Sequence, residues 1–213
     1  YPRVVVSGNF ATPHTLLNEI DKALPEYRLH MLNAQPGIPN REGVTYETAF
    51  VGPGMRNHER LVYIPARLSL VPELLRDHYR PDVVVVNTSP VRHDTVSLGV
   101  EVNILPAAIE AARTHGGIVI AQANKNMPYT YGDAQIYCDE IDFLVELDEP
   151  LTEHTPRPID DVSTQIGERI AQRVSNGATL QLGIGAVPDA VLSGLTTHTG
   201  LRIWSEMFSD GVL

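Results

Sequence analysis

Asp82-Val83-Val84-Val85-Val86-Asn87 sets four consecutive β-branched residues between polar ends. A strand with one face in water alternates apolar and polar residues. An unbroken apolar run instead marks a strand covered on both faces, as in the centre of a parallel sheet. Residues 3–7 read the same way, three Val broken by Gly8-Asn9, and so do residues 118–123 and 141–147. Residues 27–32 and 45–51 are further strand candidates. Helical spacing lies between these runs. Leu16, Leu17, Ile20 and Leu24 form one stripe, preceded by Thr12 as a cap residue and Pro13 at the first helical position. Residues 69–78 read as a short helix capped by Ser69, and residues 103–114 as a helix ended by Gly116-Gly117. Strands alternating with helices specify an α/β protein built on an open, mostly parallel sheet with flanking helices.

The polar, Pro-rich residues 150–158 are the best linker candidate. A helix over residues 160–174 follows, with Ile166, Ile170 and Val174 on one face. The expected division is therefore an N-terminal α/β lobe over 1–155, then a bridging helix and the beginning of a second, truncated lobe over 156–213. An internal echo supports the second lobe. Gly8, Ala11, Pro13 and Leu17 recur at identical spacing as Gly183, Ala186, Pro188 and Leu192, each set following an apolar strand.

Composition narrows the function classes. Sixteen Lys+Arg against 26 Asp+Glu give a net charge of −10, with no basic stripe to release counterions from a nucleic acid. Cys138 is alone, which excludes a disulfide framework and a Cys-based metal cluster. The eight His show no i, i+4 pair for zinc. Apolar runs are too short to span a membrane and no secretion signal opens the chain. A cytoplasmic location is expected. The opening Tyr1-Pro2-Arg3-Val4 and the stop just after Ser209-Asp210-Gly211 read as cuts. Cys138 and Trp204 read as core residues. Asn124, Asn126 and Met127, past a strand end, suit either a pocket lining or a plain loop.

The chemistry concentrates near the C-terminus. A strand over 179–182 leads into the turn Gly183-Ile184-Gly185, and Val187-Pro188 opens a helix through 196. Glycines there let backbone approach a ligand, and the amides of the helix start favour negative charge. A strand over 201–204 follows, with Glu206 just beyond it. In a parallel sheet both features fall at carboxyl ends of strands, where ligands bind. Local features leave three readings open: a solvated acid, a dinucleotide site of an NAD-binding oxidoreductase domain, or an anion-handling site with a reactive carboxylate. Pro188 stands where the dinucleotide fingerprint requires its third Gly.

The longer motif Gln181-Leu182-Gly183-Ile184-Gly185-Ala186-Val187-Pro188-Asp189-Ala190-Val191-Leu192, with Ser205-Glu206-Met207-Phe208-Ser209-Asp210-Gly211, resembles the acetyl-CoA hydrolase/4-hydroxybutyrate CoA-transferase family. The resemblance extends through Ser89-Pro90, Ser97-Leu98-Gly99 and Asn124-Lys125-Asn126-Met127-Pro128-Tyr129-Thr130-Tyr131-Gly132, and so covers nearly the whole chain. Where family members often read Ser-Pro-x-Asp-x-His-Gly, this chain has Ser89-Pro90-Val91-Arg92-His93-Asp94-Thr95-Val96, so that loop's substrate contacts are not carried over.

The resemblance implies two related α/β lobes with the active site between them. It makes Glu206 the nucleophile, forming an acyl-glutamyl anhydride and then a glutamyl-CoA thioester as coenzyme A passes between an acyl-CoA and a short carboxylic acid. It implies that Gln181, Leu182, Gly183, Ile184 and Gly185 contact coenzyme A. Backbone amides around Gly183 to Gly185 are the candidate oxyanion donors. Coenzyme A is then a co-substrate, with no permanently bound cofactor and no metal. The partners are acyl-CoA, of acetyl or 4-hydroxybutyryl type, and a short-chain carboxylate; neither nucleic acid nor membrane is expected, and a homodimer is an admissible assembly. Acyl-CoA hydrolysis on the same glutamate is the close alternative, and an NAD-binding domain or a non-catalytic module are those of another class.

Overall fold

The computed structural model of the chain describes residues 1–153 and 158–213. The chain divides into two compact units, Tyr1–Glu153 and His154–Leu213. The expected boundary at 155/156, and part of the expected linker, lie outside the described residues.

In the first unit the strands are β1 (Arg3–Val6), β2 (Tyr27–His30), β3 (Val44–Thr48), β4 (Leu61–Tyr63), β5 (Val83–Thr88), β6 (Thr95–Ser97), β7 (Ile118–Asn124), β8 (Gln135–Tyr137) and β9 (Phe143–Leu147). Helices α1 (His14–Ala23), α2 (Val71–Asp77) and α3 (Leu105–His115) connect them. Seven strands form one sheet in the order β4-β3-β2-β1-β5-β7-β9, and each described pairing in it is parallel. β6 and β8 make a separate antiparallel ribbon.

The Val runs explain the layering. Successive side chains on a strand point to opposite faces. Val4, Val6 and Val85 therefore join a core with Leu17 of α1, whereas Val5, Val84 and Val86 join one with Val71 and Leu75 of α2 and Leu105 and Ile109 of α3. Both faces are covered, as the unbroken apolar runs require. Arg3 enters this interior because Glu47, on β3, receives its Nε at 2.6 Å.

Several expectations shift. Thr12 does not cap α1: its Oγ1 donates to Asn9 O, closing a short 3-10 turn over Asn9–Ala11, and Pro13 occupies the N-cap. Ser69 lies inside a 3-10 turn, Leu68–Leu70, that runs into α2 without a side-chain cap. β9, expected to be buried, is an edge strand, with Phe143 60% exposed. Strands β4, β6 and β8 leave no mark in the sequence because three residues carry too little periodicity. Gly116 ends α3 in the left-handed conformation, φ +77°.

The second unit contains α4 (Asp161–Ala171), β10 (Thr179–Leu180), α5 (Ala186–Ser193) and β11 (Arg202–Ile203), with β10 and β11 paired in parallel. Asp160 caps α4, its Oδ1 accepting from Ser163 N at 2.7 Å. The two helices pack on small residues. A Cβ on Gly167 would stand 2.6 Å from Ala190 C, and one on Gly194 2.9 Å from Ala171 Cβ.

Candidate active site

Gly185 is the residue on which α5 turns. Its φ of +111° and ψ of −177° lie in a region that side chains resist, and it sits at the N-cap with no side-chain cap on the helix. The first-turn amides of α5 therefore lack an intrahelical acceptor and point outward as donors. Pro188, third in the helix, costs nothing there because its missing N–H would have no partner. Gly183 is different. A Cβ would meet only Pro188 Cγ at 3.6 Å, ordinary packing distance, so the chain's own atoms do not demand glycine at that position. Gly185 thus carries the conformational requirement of the turn, and an added Cβ there would meet no atom within 4 Å.

Gln181, Leu182 and Gly183 line a cavity of about 240 Å³ with Ile170, Val174, Leu180, Val187, Pro188 and Val191. Ile184, Gly185 and Glu206 are not among its lining residues; Ile184 and Glu206 are exposed.

Two serines hold the segment that carries Glu206. Ser205 Oγ donates to Leu182 O at 2.9 Å and accepts from Leu182 N at 3.2 Å, filling both hydrogen-bonding groups of one residue in the turn. Ser209 Oγ donates to Asp189 Oδ1, in the first turns of α5, at 3.2 Å. Glu206 lies between these two attachments, and no hydrogen bond or ion pair from the described residues occupies its carboxylate. A held backbone with an unengaged carboxylate suits a group that must reach an electrophile. Trp204, expected in the core, is 82% exposed. It follows a two-residue strand in a two-stranded sheet, which offers little apolar surface to cover an indole.

The first unit holds a cavity the sequence did not reveal. The chain enters the sheet at β1, walks outward through β4 and returns at β5 beside β1. In such sheets ligands collect beyond the carboxyl ends of the strands, near the reversal. Asn9, Leu32, Asn33 and Phe50 follow the ends of β1, β2 and β3, and they line a cavity of about 320 Å³ with Leu68, Ser69, Pro72, Glu101, Asn103 and Ile104. Asn9 and Asn33 both carry positive φ, +48° and +46°. Glu101 is buried, and burial pushes its carboxyl above the usual range, with hydrogen bonds from Asn103 and Asn9 acting the other way. The positive φ of a non-glycine residue has no sequence signature beyond the Asn itself.

Asn124 and Met127 belong to the loop reading. Asn124 Nδ2 donates to Glu149 O, and its Oδ1 accepts from Glu149 N and Asn126 N, so its polar atoms hold backbone. Met127 is buried against Gly99. Cys138 packs against the core and burial raises its thiol pKa. In the divergent loop, Arg92 and Thr95 bridge around His93 at φ +60°, and Arg92 lies over the Tyr129 ring at 5.4 Å. Among the described residues no His, Cys, Asp and Glu group as a metal site, and no helix is long and apolar enough to cross a membrane.

Comparison with known proteins gives the family of the chain. The model of the acetyl-CoA hydrolase/transferase N-terminal domain matches residues 39–156. A succinyl-CoA:acetate/propanoyl-CoA:succinate CoA transferase of Fasciola hepatica is 39% identical over 99% of this chain and 46% of its own length. The 4-hydroxybutyrate coenzyme A transferase of Clostridium kluyveri is 38% identical over 100% of this chain and 52% of its own length. The chain thus spans about half the length of these curated relatives. A crystal structure of 4-hydroxybutyrate CoA-transferase from Porphyromonas gingivalis superposes with TM-score 0.73 at 31% identity, over 99% of this chain and 51% of that one. RipA from Yersinia pestis shares the fold, TM-score 0.83 at 24% identity, over 99% of this chain and 54% of that one. Glu206 lies beyond the residues that the domain model matches, but the alignment to the Clostridium relative takes in the whole chain. The chain belongs to the acetyl-CoA hydrolase/transferase family.

Proposed function

We propose that the protein carrying this chain transfers coenzyme A between an acyl-CoA and a short carboxylic acid, with Glu206 as the covalent carrier. The supporting observation is the attachment of Ser205 to Leu182 and of Ser209 to Asp189, which holds the backbone around a free Glu206 carboxylate. The names of the relatives, a succinyl-CoA:acetate transferase and a 4-hydroxybutyrate transferase, agree with this reaction class.

The carboxylate attacks the thioester carbonyl and expels the coenzyme A thiolate, leaving an acyl-glutamyl anhydride. The thiolate attacks the glutamyl carbonyl of that anhydride. The first acid leaves as its carboxylate, and a glutamyl-CoA thioester remains. The incoming carboxylate attacks this thioester, releasing thiolate and forming a new mixed anhydride. The thiolate then takes the acyl group from it, giving the new acyl-CoA and free Glu206. Each addition builds negative charge on a carbonyl oxygen. The amides around Gly183 to Gly185 and the open first turn of α5 are the donors we assign to it, a contribution worth about 10²–10³ in rate per donor. Gln181, Leu182, Gly183, Ile184 and Gly185 are assigned to coenzyme A contact; the room at Gly183 and the cavity beside Gln181 and Leu182 favour this.

Hydrolysis of acyl-CoA through the same glutamate is the second reading, favoured by the family's inclusion of hydrolases. Water then replaces the incoming acid at an activated intermediate. Incubating the protein with acetyl-CoA and a labelled short-chain acid separates the two: label entering the thioester pool means transfer, and free thiol without label means hydrolysis. Glu206→Ala abolishes either activity, and borohydride reduces a trapped thioester at this residue. Turnover of the Ala variant at the parent rate refutes the assignment.

A further inference from the structure

Asp189 is the fourth residue of α5, and it bonds in two directions. Its amide donates to Gly185 O at 3.0 Å, closing the first turn of the helix on the residue that sets the glycine turn. Its side chain reaches away from the helix: Oδ1 accepts from Ser209 Oγ, 20 positions on, at 3.2 Å. That contact depends on a close approach of the chain beyond Ser209. Ser209 is the N-cap of a 3-10 turn over Asp210–Val212, and Val212 N donates to Ser209 O at 3.1 Å. Gly211, inside that turn, has no positive φ, so space and not conformation constrains it. A Cβ there would stand 3.2 Å from Leu192 Cδ1 and 3.6 Å from Asp189 Oδ1.

Leu182 and Asp189 stand on either side of the glycine turn and helix start, and their partners Ser205 and Ser209 stand on either side of Glu206. The segment carrying Glu206 is thus pinned at both ends against the segment carrying the open amides. A loop pinned at one end can swing about it, and a second pin removes that freedom. The pin at Leu182 uses backbone groups, which any residue supplies. The pin at Asp189 uses a side chain, so one substitution on the helix removes it. An acid in the first turn of a helix also stabilises the helix by its charge. A serine hydroxyl, by contrast, needs only a lone pair to donate to, and an Asn carbonyl provides one without charge.

We infer that Asp189 is a positioning residue for Glu206: as the acceptor for Ser209 it holds the Glu206 carboxylate at a fixed place relative to the amides of residues 183–185. The inference rests on the role proposed for Glu206 and adds the side chain that acts on it through Ser209.

Exchange kinetics on the complete protein, with acetyl-CoA and a labelled short-chain acid, test it. Asp189→Ala lowers kcat about tenfold and leaves KM for acetyl-CoA within about twofold, because a misplaced nucleophile loses transition-state contact and not bound substrate. Asp189→Asn recovers most of that loss, which a role through helix charge would not allow. Ser209→Ala deletes one loop hydroxyl, gives the same fall in kcat, and carries the test where Asp189→Ala fails to fold. The double variant is no slower than either single one, since both remove the same bond. Parent kcat in Asp189→Ala or in Ser209→Ala, losses that multiply in the double variant, or an Asn variant as slow as the Ala variant overturns the inference. Glu206→Ala, run alongside, keeps two failures apart. An inactive Glu206→Ala beside a fully active Asp189→Ala sinks the role of Asp189 alone, whereas an active Glu206→Ala sinks the reading beneath it.

Discussion

Ser205 Oγ stands 2.9 Å from the carbonyl oxygen and 3.2 Å from the amide nitrogen of Leu182, so one hydroxyl closes both hydrogen-bonding groups of a residue 23 positions earlier. Backbone groups just past a short strand have no ladder partner, and a side chain that supplies donor and acceptor together fixes the loop more tightly than either bond alone. Ser205→Ala should cost about 1 kcal/mol of stability. Because the adjacent Glu206 loses its anchor, acyl exchange should fall by about tenfold or more with little change in the apparent affinity for acyl-CoA. Urea unfolding and steady-state kinetics on the same preparation check both effects; unchanged exchange would remove the serine from any positioning role.

The two glycines of the turn separate by conformation. Gly185, at φ +111°, should lose about 1–2 kcal/mol on substitution by Ala, whereas Gly183→Ala should stay within about 0.5 kcal/mol because its nearest obstacle is Pro188 Cγ at 3.6 Å. If Gly183 faces coenzyme A, Gly183→Ala nevertheless raises KM for acyl-CoA. A folded Gly183→Ala protein with parent KM would take Gly183 out of the coenzyme A contact.

Helices α4 and α5 meet where no side chain fits. A Cβ on Gly167 would lie 2.6 Å from Ala190 C and 2.7 Å from Ala190 O, both backbone atoms that cannot step aside. Gly167→Val should destabilise the second unit by about 1–3 kcal/mol, and Gly167→Ala by the lower part of that range. Limited proteolysis should then cut within residues 158–213 before it cuts the first unit.

His30 is buried on β2 with neither ring nitrogen hydrogen-bonded, and burial lowers its pKa to about 4, with the Glu47 carboxylate opposing and Arg3 reinforcing the shift. The unfolded chain takes up this proton near the ordinary value of 6.5 and the folded chain does so only near 4. Stability contributed by the neutral ring is therefore complete above pH 6.5 and is lost as the pH falls toward 4, by roughly 3 kcal/mol in all. Glu101 acts with the opposite sign, since its raised pKa favours the folded state on the acid side. Denaturant unfolding at pH 7 and at pH 4.5 should show a smaller acid loss for His30→Leu than for the parent protein; parallel losses would assign the acid sensitivity to other groups.

The parallel sheet was legible because its central strands do not alternate apolar with polar residues: runs such as Val83 to Val86 admit one arrangement, with both faces covered. Helices with four-residue apolar stripes were equally plain. What stayed hidden depends on tertiary neighbours. β4, β6 and β8 are three residues each and exist through pairing, not propensity. The role of Thr12 went to Pro13 because Thr12 found an acceptor in Asn9. Of the proposed site, the glycine turn and Glu206 were visible as a motif, while the two serine attachments were not, since a Ser in a loop has many equivalent partners. The Glu101 cavity draws on residues 9, 33, 50, 69 and 101, which only the strand order brings together.

That strand order has a consequence for how the chain is assembled. β1 is fully buried, yet one of its edges is filled by β5, and the amide of Arg3 reaches Asp82, 79 positions further on. During synthesis β1 can zip against β2 within a few dozen residues, but its other side stays bare until β5 has left the ribosome. β1 is thus completed only after β2, β3 and β4 have been made, and slow maturation of the sheet follows from its wiring.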